Sequence, residues 1–307
     1  MNELTQILNC LELSETQNTY FSGTKNEQEM KDSIKIFFND EQIPFCFKYK
    51  FEKSGNHTLK FEFNTSLINL NCMFCYCNSL IEINLSCLDT ENVENMSGMF
   101  YDCEKLESIN IKKFDTFNVK NMSCMFFNCS NLKELDISNF KTENVIDMGY
   151  MFCFCSSLKS LDLSNFDTNK CNNMHGMFNN CLALEKLNIS NFNTENVLNM
   201  SWMFSNCKSL KNLNLSKFDT SSVVVMNEMF YNCSSLTKLD ISNFKTNKLN
   251  NMNRIFCGCT SLNSLDISNF NSEKIENMDS IFDGMNKKCK VISNDNNIII
   301  KKLEYFS

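Results

Sequence analysis

Residues 157–181, SLKSLDLSNFDTNKCNNMHGMFNNC, carry a pattern that recurs along most of the chain. Its clearest mark is the pair Met177 and Phe178. This pair returns at a constant interval of 26 positions without insertion or deletion, and isoleucine replaces methionine in the last two copies. A fixed period in this range is typical of a solenoid, in which each repeat stacks on its neighbours. The other copies lie at 73–74, 99–100, 125–126, 151–152, 203–204, 229–230, 255–256 and 281–282.

The first half of the unit predicts a short β-strand. Leu158, Leu161 and Leu163 follow the spacing L-x-x-L-x-L. Because side chains alternate across a strand, Leu161 and Leu163 should point into the core, while Ser160 and Asp162 face outward. Equivalent strands of stacked repeats should lie parallel to one another.

The second half of the unit predicts a helix of about two turns. Met174, Met177, Phe178 and Cys181 are spaced i, i+3, i+4 and i+7, which places them on one face of a helix. Asn173 is a suitable N-cap. The predicted fold is therefore an α/β solenoid, a leucine-rich-repeat-like right-handed coil with parallel β-strands on one face and short helices on the other.

Stacking should also align equivalent side chains in columns. The sequence contains a phenylalanine, a cysteine and a threonine column, and the threonines are best explained by hydrogen bonds at a turn or cap. The columns are Phe114, Phe140, Phe166, Phe192, Phe218, Phe244 and Phe270; Cys77, Cys103, Cys129, Cys155, Cys181, Cys207, Cys233 and Cys259; and Thr90, Thr116, Thr142, Thr168, Thr194, Thr220 and Thr246.

The complete unit, L-x-x-L-x-L-S-N-F-x-T-x-x-V-x-N-M-x-x-M-F-x-x-C, resembles the repeat of the BspA-like leucine-rich-repeat proteins. These form a large group in bacteria and protists, and many are described as surface proteins. The resemblance covers about residues 67–285. It implies a binding or adhesive role and no catalytic residues, because the family motif is structural throughout.

The chain divides into four predicted parts. Residues 1–30 are expected to form a short helix and a loose polar segment, 31–66 an N-terminal β-hairpin cap, 67–285 the solenoid and 286–307 a C-terminal cap. The helix would use Leu4, Ile7, Leu8 and Leu11 as its apolar face. In the β cap, alternating apolar residues run over 34–38, 43–51 and 59–63, with turns at 39–40 and 54–57. In the C-terminal cap, Val291 takes the place of an inward leucine, and 298–306 is a closing helix or strand.

Charge and hydropathy narrow the classes of partner. The 307 residues carry a formal charge of −7 without a basic stripe, which argues against nucleic acid and anionic membranes. The start of the chain lacks the basic residues and the apolar run of a signal peptide, and no run of about 18 apolar residues predicts a transmembrane helix. A cytoplasmic location is therefore expected. The alternative is the cell surface, reached by an unrecognised export route.

The cysteines are expected to be reduced packing residues. The chain has 18, and the cysteine column occupies a small apolar position of the repeat. Cys72, Cys75 and Cys77 form C-x-x-C-x-C, the one arrangement crowded enough for a structural zinc site. Because Cys77 belongs to the core column and the chain has two histidines, no metal and no cofactor is predicted.

Catalytic motifs are missing from the sequence. It contains no glycine-rich phosphate loop, no H-E-x-x-H and no histidine placed repeatedly beside a nucleophile. The chain is therefore predicted not to be an enzyme, the alternative being a site that precedes the repeats.

Two surface columns are candidate binding sites. The strand face carries a polar, partly acidic track, which is either a binding surface or a solvated face. The opposite side carries Tyr101, Phe127, Tyr150, Trp202 and Tyr231, which either form an interface or pack against the next repeat.

The predicted function is a non-enzymatic protein–protein interaction scaffold for a protein of unknown identity, with a cell-surface adhesin as the alternative. The predicted partner-binding residues are Asp136, Asp162, Asn188, Asn214, Asp240, Asp266, Tyr150 and Trp202.

Overall fold

The N-terminal part is a four-stranded antiparallel sheet. The structure, a computed structural model, describes residues 2–7, 31–44, 58–63 and 67–306. The strand order is β1-β4-β2-β3, and Ile34, Ile36 and Phe63 join the same hydrophobic core as the repeats. The strands are β1 (Asn2–Ile7), β2 (Ile34–Phe38), β3 (Glu41–Ile43) and β4 (Thr58–Phe63).

One predicted hairpin of this sheet is confirmed. Asn39 and Asp40 connect β2 to β3 with φ angles of 48° and 69°. Two consecutive residues with positive φ make the type I′ turn that suits the twist of a hairpin.

The predicted N-terminal helix is wrong over residues 2–7, which form strand β1. Pairing of β1 with β4 gives its backbone groups hydrogen-bond partners that a short isolated helix cannot provide. The rest of the predicted N-terminal segment, 8–30, and the predicted strand and turn over 45–57 lie outside the described residues.

Short parallel strands mark the repeats. They form three parallel pairs, β5 with β6, β7 with β8 and β9 with β10. In β7, Leu161 is buried while Ser160 and Asp162 are exposed, so the predicted alternation is confirmed. The strands are β5 (Glu82–Asn84), β6 (Ser108–Asn110), β7 (Ser160–Asp162), β8 (Lys186–Asn188), β9 (Ser264–Asp266) and β10 (Lys290–Ile292).

A second line of parallel pairing runs through the other half of each repeat. Single-residue bridges join equivalent positions of consecutive repeats, in an unbroken series from Asn69 to Asn277. Asn173, for example, is bridged to Asp147 and to Asn199. The repeats are therefore held in a constant register over this range.

The predicted short helices are wrong: the segments after these bridges are chains of overlapping β-turns. In the repeat of Met174, the N–H groups of Met177, Asn179 and Cys181 donate to carbonyls three residues back. The intervening N–H groups of Gly176, Phe178 and Asn180 donate to carbonyls of the next repeat. Because half of the backbone donors bond between repeats, the i to i−4 bonds of a helix do not form.

Backbone angles show why the turns differ from a helix. Every turn segment has two residues with positive φ, such as Gly176 at 57° and Asn180 at 61°. An α-helix requires negative φ throughout. The apolar spacing of Met174, Met177 and Cys181 is nevertheless satisfied, because the turns bury all three side chains.

Phenylalanine rings fill the core as two ladders. In the ladder from Phe74 to Phe256, successive rings are nearly parallel, with centroids 5.6–6.0 Å apart. In the column from Phe140 to Phe218, the spacing is 6.5 Å. The predicted stacking of equivalent side chains is thus observed.

The threonine column joins neighbouring repeats through its hydroxyl groups. Thr168 Oγ1 donates to the carbonyl of Asn193 at 2.7 Å and accepts the N–H of the same residue at 2.8 Å. The same pair of bonds is made from Thr90 through Thr246, and these threonines are buried. Each buried hydroxyl therefore satisfies one N–H and one C=O of the next repeat.

The cysteine column is buried from Cys103 to Cys259, whereas Cys77 is partly exposed. Each buried thiol lies 3.0–3.2 Å from a phenylalanine carbonyl oxygen of the preceding repeat, as Cys181 does from Phe152. The cysteines of the described residues are free. These thiols therefore pack as small side chains that also donate weak hydrogen bonds.

The C-terminal end is closed by β10 and by helix α1 (Asn296–Phe306). Val291 of β10 and Ile298 of α1 are buried, in line with the predicted inward position of Val291 and with the closing element. The Asp295 carboxylate accepts the N–H groups of Asn297 and Ile298, which caps the helix, and also binds the N–H and hydroxyl of Ser272.

Candidate functional site

The predicted polar track lies on the strand face as a row of exposed side chains, except that Asn110 is half-buried. Its members each accept the N–H of the residue two positions on, as Asp162 does from Ser164 at 2.9 Å. These are Asx turns, which close the strand locally. The members are Asn84, Asn110, Asp136, Asp162, Asn188, Asn214, Asp240 and Asp266.

Hydrogen bonds also keep the aspartates of this track ionised. Bonds from the serine two residues on lower the pKa of Asp136, Asp162, Asp240 and Asp266. Asp136 is in addition 3.1 Å from Lys112. The side chains of the track therefore have a clear local role in ending each strand.

The turn side carries a continuous row of rings, which we call the aromatic ladder. Tyr101 and Phe127 stack with centroids 4.5 Å apart, and Phe127 meets Tyr150 edge-on at 6.3 Å. His175 stands between Tyr150 at 4.7 Å and Trp202 at 4.8 Å. The predicted residues Tyr150 and Trp202 thus belong to one structure that crosses several repeats.

The aromatic ladder forms one wall of a cleft of about 570 Å³, here called the aromatic groove. Cys124 and Cys153 also line it. Its aromatic lining consists of Tyr101, Phe127, Tyr150, Phe154 and Trp202, and its polar lining of Asn179, Asn180, Ser205, Asn206 and Glu228. Tyr231, which the sequence grouped with these aromatics, does not line the groove.

Backbone conformation positions the groove side chains. Tyr150, Phe154 and Trp202 have φ angles of 56°, 61° and 58°, in the left-handed region that bulky residues rarely adopt. The turn segments enforce this conformation through hydrogen bonds to both neighbouring repeats. Phe154 is 40% exposed, whereas Tyr150 and Trp202 are half-buried.

Gly176 makes room for Tyr150. A Cβ atom at Gly176 would lie 2.5 Å from two carbon atoms of the Tyr150 ring. Because the site has no side chain, this ring can lie across the neighbouring repeat. Gly176 is therefore required for the close approach of the ring, whereas its φ of 57° is shared by Tyr150 and Trp202, which occupy the same position of neighbouring repeats.

His175 is a neutral link within the aromatic ladder. Its Nδ1 is 3.2 Å from Oδ1 of Asn199, an oxygen that also accepts the N–H of Ser201, so Nδ1 must donate. Nε2 is then free to accept the Tyr150 hydroxyl at 2.5 Å. Burial lowers the pKa of His175, which favours this uncharged form.

Charge in the groove comes from Glu228. Burial raises the pKa of Cys124 and of Tyr150, each to about 12, so both are uncharged at neutral pH. The Glu228 carboxylate is 3.9 Å from the guanidinium of Arg254, an ion pair longer than a hydrogen bond. The groove is thus aromatic with one acidic end.

The described residues contain no group of three His, Cys, Asp or Glu side chains arranged to hold a metal ion. Cys72 and Cys75 interact as a pair: a hydrogen bond from Cys72 lowers the pKa of Cys75, while the same contact raises that of Cys72.

The described part of the chain contains no helix long and apolar enough to cross a membrane.

Sequence reasoning missed two participants in this site. The sequence pattern singles out neither Phe154 nor His175. Phe154 has a left-handed backbone that the apolar spacing does not reveal, and the position of the Tyr150 ring beside His175 depends on the missing side chain at Gly176. A bulky residue at a position where other repeats have Asn or Gly, such as Asn180 and Gly258, is the available signal for Phe154.

Comparison with known families matches the repeat region. A family model described as "Mycoplasma protein of unknown function, DUF285" matches four overlapping segments, 47–160, 105–186, 125–232 and 173–295. The chain belongs to the DUF285 family. The DUF285 matches support its repeat nature, and the description assigns no function. No curated protein matches the chain.

Proposed function

We propose that this DUF285 protein is a non-enzymatic protein–protein interaction scaffold, in which BspA-like, leucine-rich-repeat-like units form one solenoid. Two features support the architecture: the series of parallel bridges from Asn69 to Asn277, and the phenylalanine ladders with their constant spacing. In such an assembly each unit is stabilised by its neighbours, and side chains on the outer surface are left for recognition.

The aromatic groove carries the functional proposal. Tyrosine, tryptophan and phenylalanine are enriched at protein interfaces and dominate binding energy when they sit in pockets. Here they are partly exposed, on backbone that is hydrogen-bonded to the repeats on both sides. A partner would therefore meet aromatic surface that is already ordered, which lowers the entropic cost of binding.

The strand face is the weaker candidate for the binding surface. Its Asp and Asn side chains already accept backbone N–H groups, as Asp136 accepts that of Ser138 at 3.2 Å. Neither the aromatic groove nor the smaller cleft around Phe218 and Phe244 is lined by Asp136 or Asp162. The row is explained by its part in the turns.

Affinity capture from the native source tests this proposal. Capture with the unmodified chain is compared with Trp202→Ala, with Phe154→Ser and with the strand-face double variant Asp136→Lys, Asp162→Lys. We expect Trp202→Ala to reduce recovery of a specific partner by at least about tenfold, as is typical of an interface hot spot, and Phe154→Ser to reduce it as well. The strand-face variant should retain the partner.

Thermal unfolding followed by circular dichroism shows whether each variant remains folded. A partner that is retained by folded Trp202→Ala and Phe154→Ser but lost by the double aspartate variant would place binding on the strand face. Such a result would contradict the role proposed for the aromatic groove.

A further inference from the structure

The residues that line the aromatic groove determine which ligand charge it favours. Five aromatic side chains and the Glu228 carboxylate contribute to it, and no lysine or arginine is among the residues that line it in the described part of the chain. The whole chain carries a formal charge of −7. Aromatic ring faces attract cations, tryptophan most strongly, and a nearby carboxylate adds to this attraction. The groove therefore complements a positively charged group.

Trp202 and Glu228 lie on adjacent repeats. Trp202 and Glu228 occupy the same position of consecutive repeats, and both have positive φ. The Glu228 side chain keeps 23% of its surface exposed. A cation bound between them would contact an aromatic ring on one side and an acidic group on the other.

Arg254 shows that a guanidinium can approach this carboxylate from solvent. Its side chain is 52% exposed, and Nη1 is 3.9 Å from Oε1 of Glu228. At this distance the pair lacks a hydrogen bond, so a second guanidinium can bind Glu228 more closely. Arg254 itself does not line the groove.

The shape of the site favours arginine over lysine. A guanidinium is planar, stacks on aromatic rings and can bind a carboxylate through two nitrogens, whereas an ammonium is a compact, strongly hydrated charge. Asn179, Asn180 and Asn206 also line the groove. Asn180 Nδ2 donates to Asn179 Oδ1, and Asn206 Oδ1 accepts from Asn232, but an amide has two donors and two lone pairs, so each keeps capacity for the backbone of a bound peptide.

We propose that the aromatic groove binds an arginine side chain of an extended segment of a partner protein, with the guanidinium between Trp202 and Glu228. This inference rests on the proposed function, because it names the chemistry of the partner that the scaffold recognises. It also predicts that neutralising either the ligand or Glu228 weakens binding without unfolding the protein.

A random heptapeptide library, selected against the full chain, tests the inference. Parallel selections use Trp202→Ala, Glu228→Gln and Glu195→Gln, an exposed residue outside the groove that gives the same change in net charge. We expect arginine-containing peptides to be enriched by the unmodified chain and by Glu195→Gln, and to be lost with Trp202→Ala. Glu228→Gln, which keeps the size of the side chain, should bind them about tenfold more weakly.

The best enriched peptide is then synthesised with arginine and with citrulline, its neutral analogue. Trp202 is the single tryptophan of the chain, so its fluorescence reports directly on the groove. The arginine peptide should change this fluorescence saturably, and the citrulline peptide should bind about tenfold more weakly.

Failure of the inference can be told from failure of the proposed function. Peptides that depend on Trp202 but lack arginine, or that bind equally well with citrulline, would overturn the arginine site and leave the binding groove in place. Enrichment that is lost with Trp202→Ala but unaffected by Glu228→Gln would likewise overturn the arginine site alone, and so would a library that yields no enriched peptide while Trp202→Ala abolishes affinity capture. Enrichment that is unaffected by either variant would overturn both. Melting curves of the variants by circular dichroism show that each result refers to folded protein.

Discussion

Single hydroxyl groups hold neighbouring repeats together at the threonine column. Each buried threonine both donates to and accepts from one residue of the next repeat, so its loss leaves two backbone groups without partners. A buried polar group without a hydrogen bond is costly because water cannot replace the lost partner.

Thr168→Val should therefore lower the free energy of unfolding by about 1–3 kcal/mol, although valine has almost the same shape. The N–H and C=O of Asn193 would be left unsatisfied. Thr237→Val is the matched control, since Thr237 is exposed and its hydroxyl makes one long contact of 3.4 Å. Urea unfolding measures both variants, and equal effects would contradict the role of the column.

At the same scale, His175 links pH to stability. Burial lowers its pKa in the folded state below the ordinary value of about 6.5, so the unfolded chain takes up the proton first as pH falls. Neutral His175 therefore contributes fully to the free energy of unfolding above about pH 6.5, and this contribution is lost as the pH decreases toward the folded-state pKa. The nearby Asp147 charge opposes the shift but does not cancel it.

We expect the melting temperature to fall between about pH 7.5 and 5.5 more steeply for the unmodified chain than for His175→Gln. Glutamine cannot take up a proton but can keep one hydrogen bond of the imidazole. Scanning calorimetry at several pH values measures the difference, and identical slopes would show that His175 does not titrate differently on folding.

The turn segments are the elements in which sequence and structure disagree most. The spacing of Met174, Met177 and Phe178 fits one face of a helix, and the structure buries the same residues on a chain of turns. The spacing of apolar residues cannot distinguish a helix from a chain of turns. It indicates which side chains are buried, but not which carbonyls accept the backbone N–H groups. The decisive sign is the recurrence of Asn and Gly at the second position of positive φ in each turn segment, as at Asn128, Asn180 and Gly258.

The strands and core were more predictable than the site. Alternation fixed the inward direction of Leu161, and the constant period of the repeat fixed which phenylalanines stack. Tyr150 and Trp202 could be chosen from the sequence as surface aromatics, and both are half-buried. The contact of both residues with His175 could not be predicted, since it depends on the left-handed backbone of the turns and on the missing side chain at Gly176.

Ser280, with φ of 54°, offers a direct test of turn against helix. In the turn, Ser280→Gly should raise stability by about 0.5–1 kcal/mol, because glycine removes the strain of a left-handed residue. In a helix the same change would lower stability, since glycine is the poorer helix former. Ser280→Val should be destabilising in the turn, and thermal unfolding of the two variants gives the sign of each effect.

Across the whole molecule, burial controls the reactivity of the thiols. Burial raises the pKa of the column from Cys103 to Cys259, and each of these thiols donates to a carbonyl. Cys87 is exposed. A thiolate is the reactive species, so the column should remain unreactive while the repeats are stacked.

Titration with a thiol reagent at neutral pH should show a fast phase that includes Cys87 and a large phase that appears only in denaturant. Cys87→Ser should remove one thiol from the fast phase and leave the slow phase unchanged. Fast reaction of the column in the absence of denaturant would mean that the repeats open readily. Disulfide detected in freshly isolated protein would contradict the free thiols.

The constant register of the bridges has a consequence for how such a chain can change over generations. Because each unit contacts its neighbours through equivalent atoms, gain or loss of one whole unit would leave every remaining junction chemically intact. The proposed binding groove lacks this tolerance, since it needs Tyr150, Gly176, Trp202 and Glu228 in one particular succession. Recombination between units would thus preserve the framework while abolishing or rewriting what it recognises.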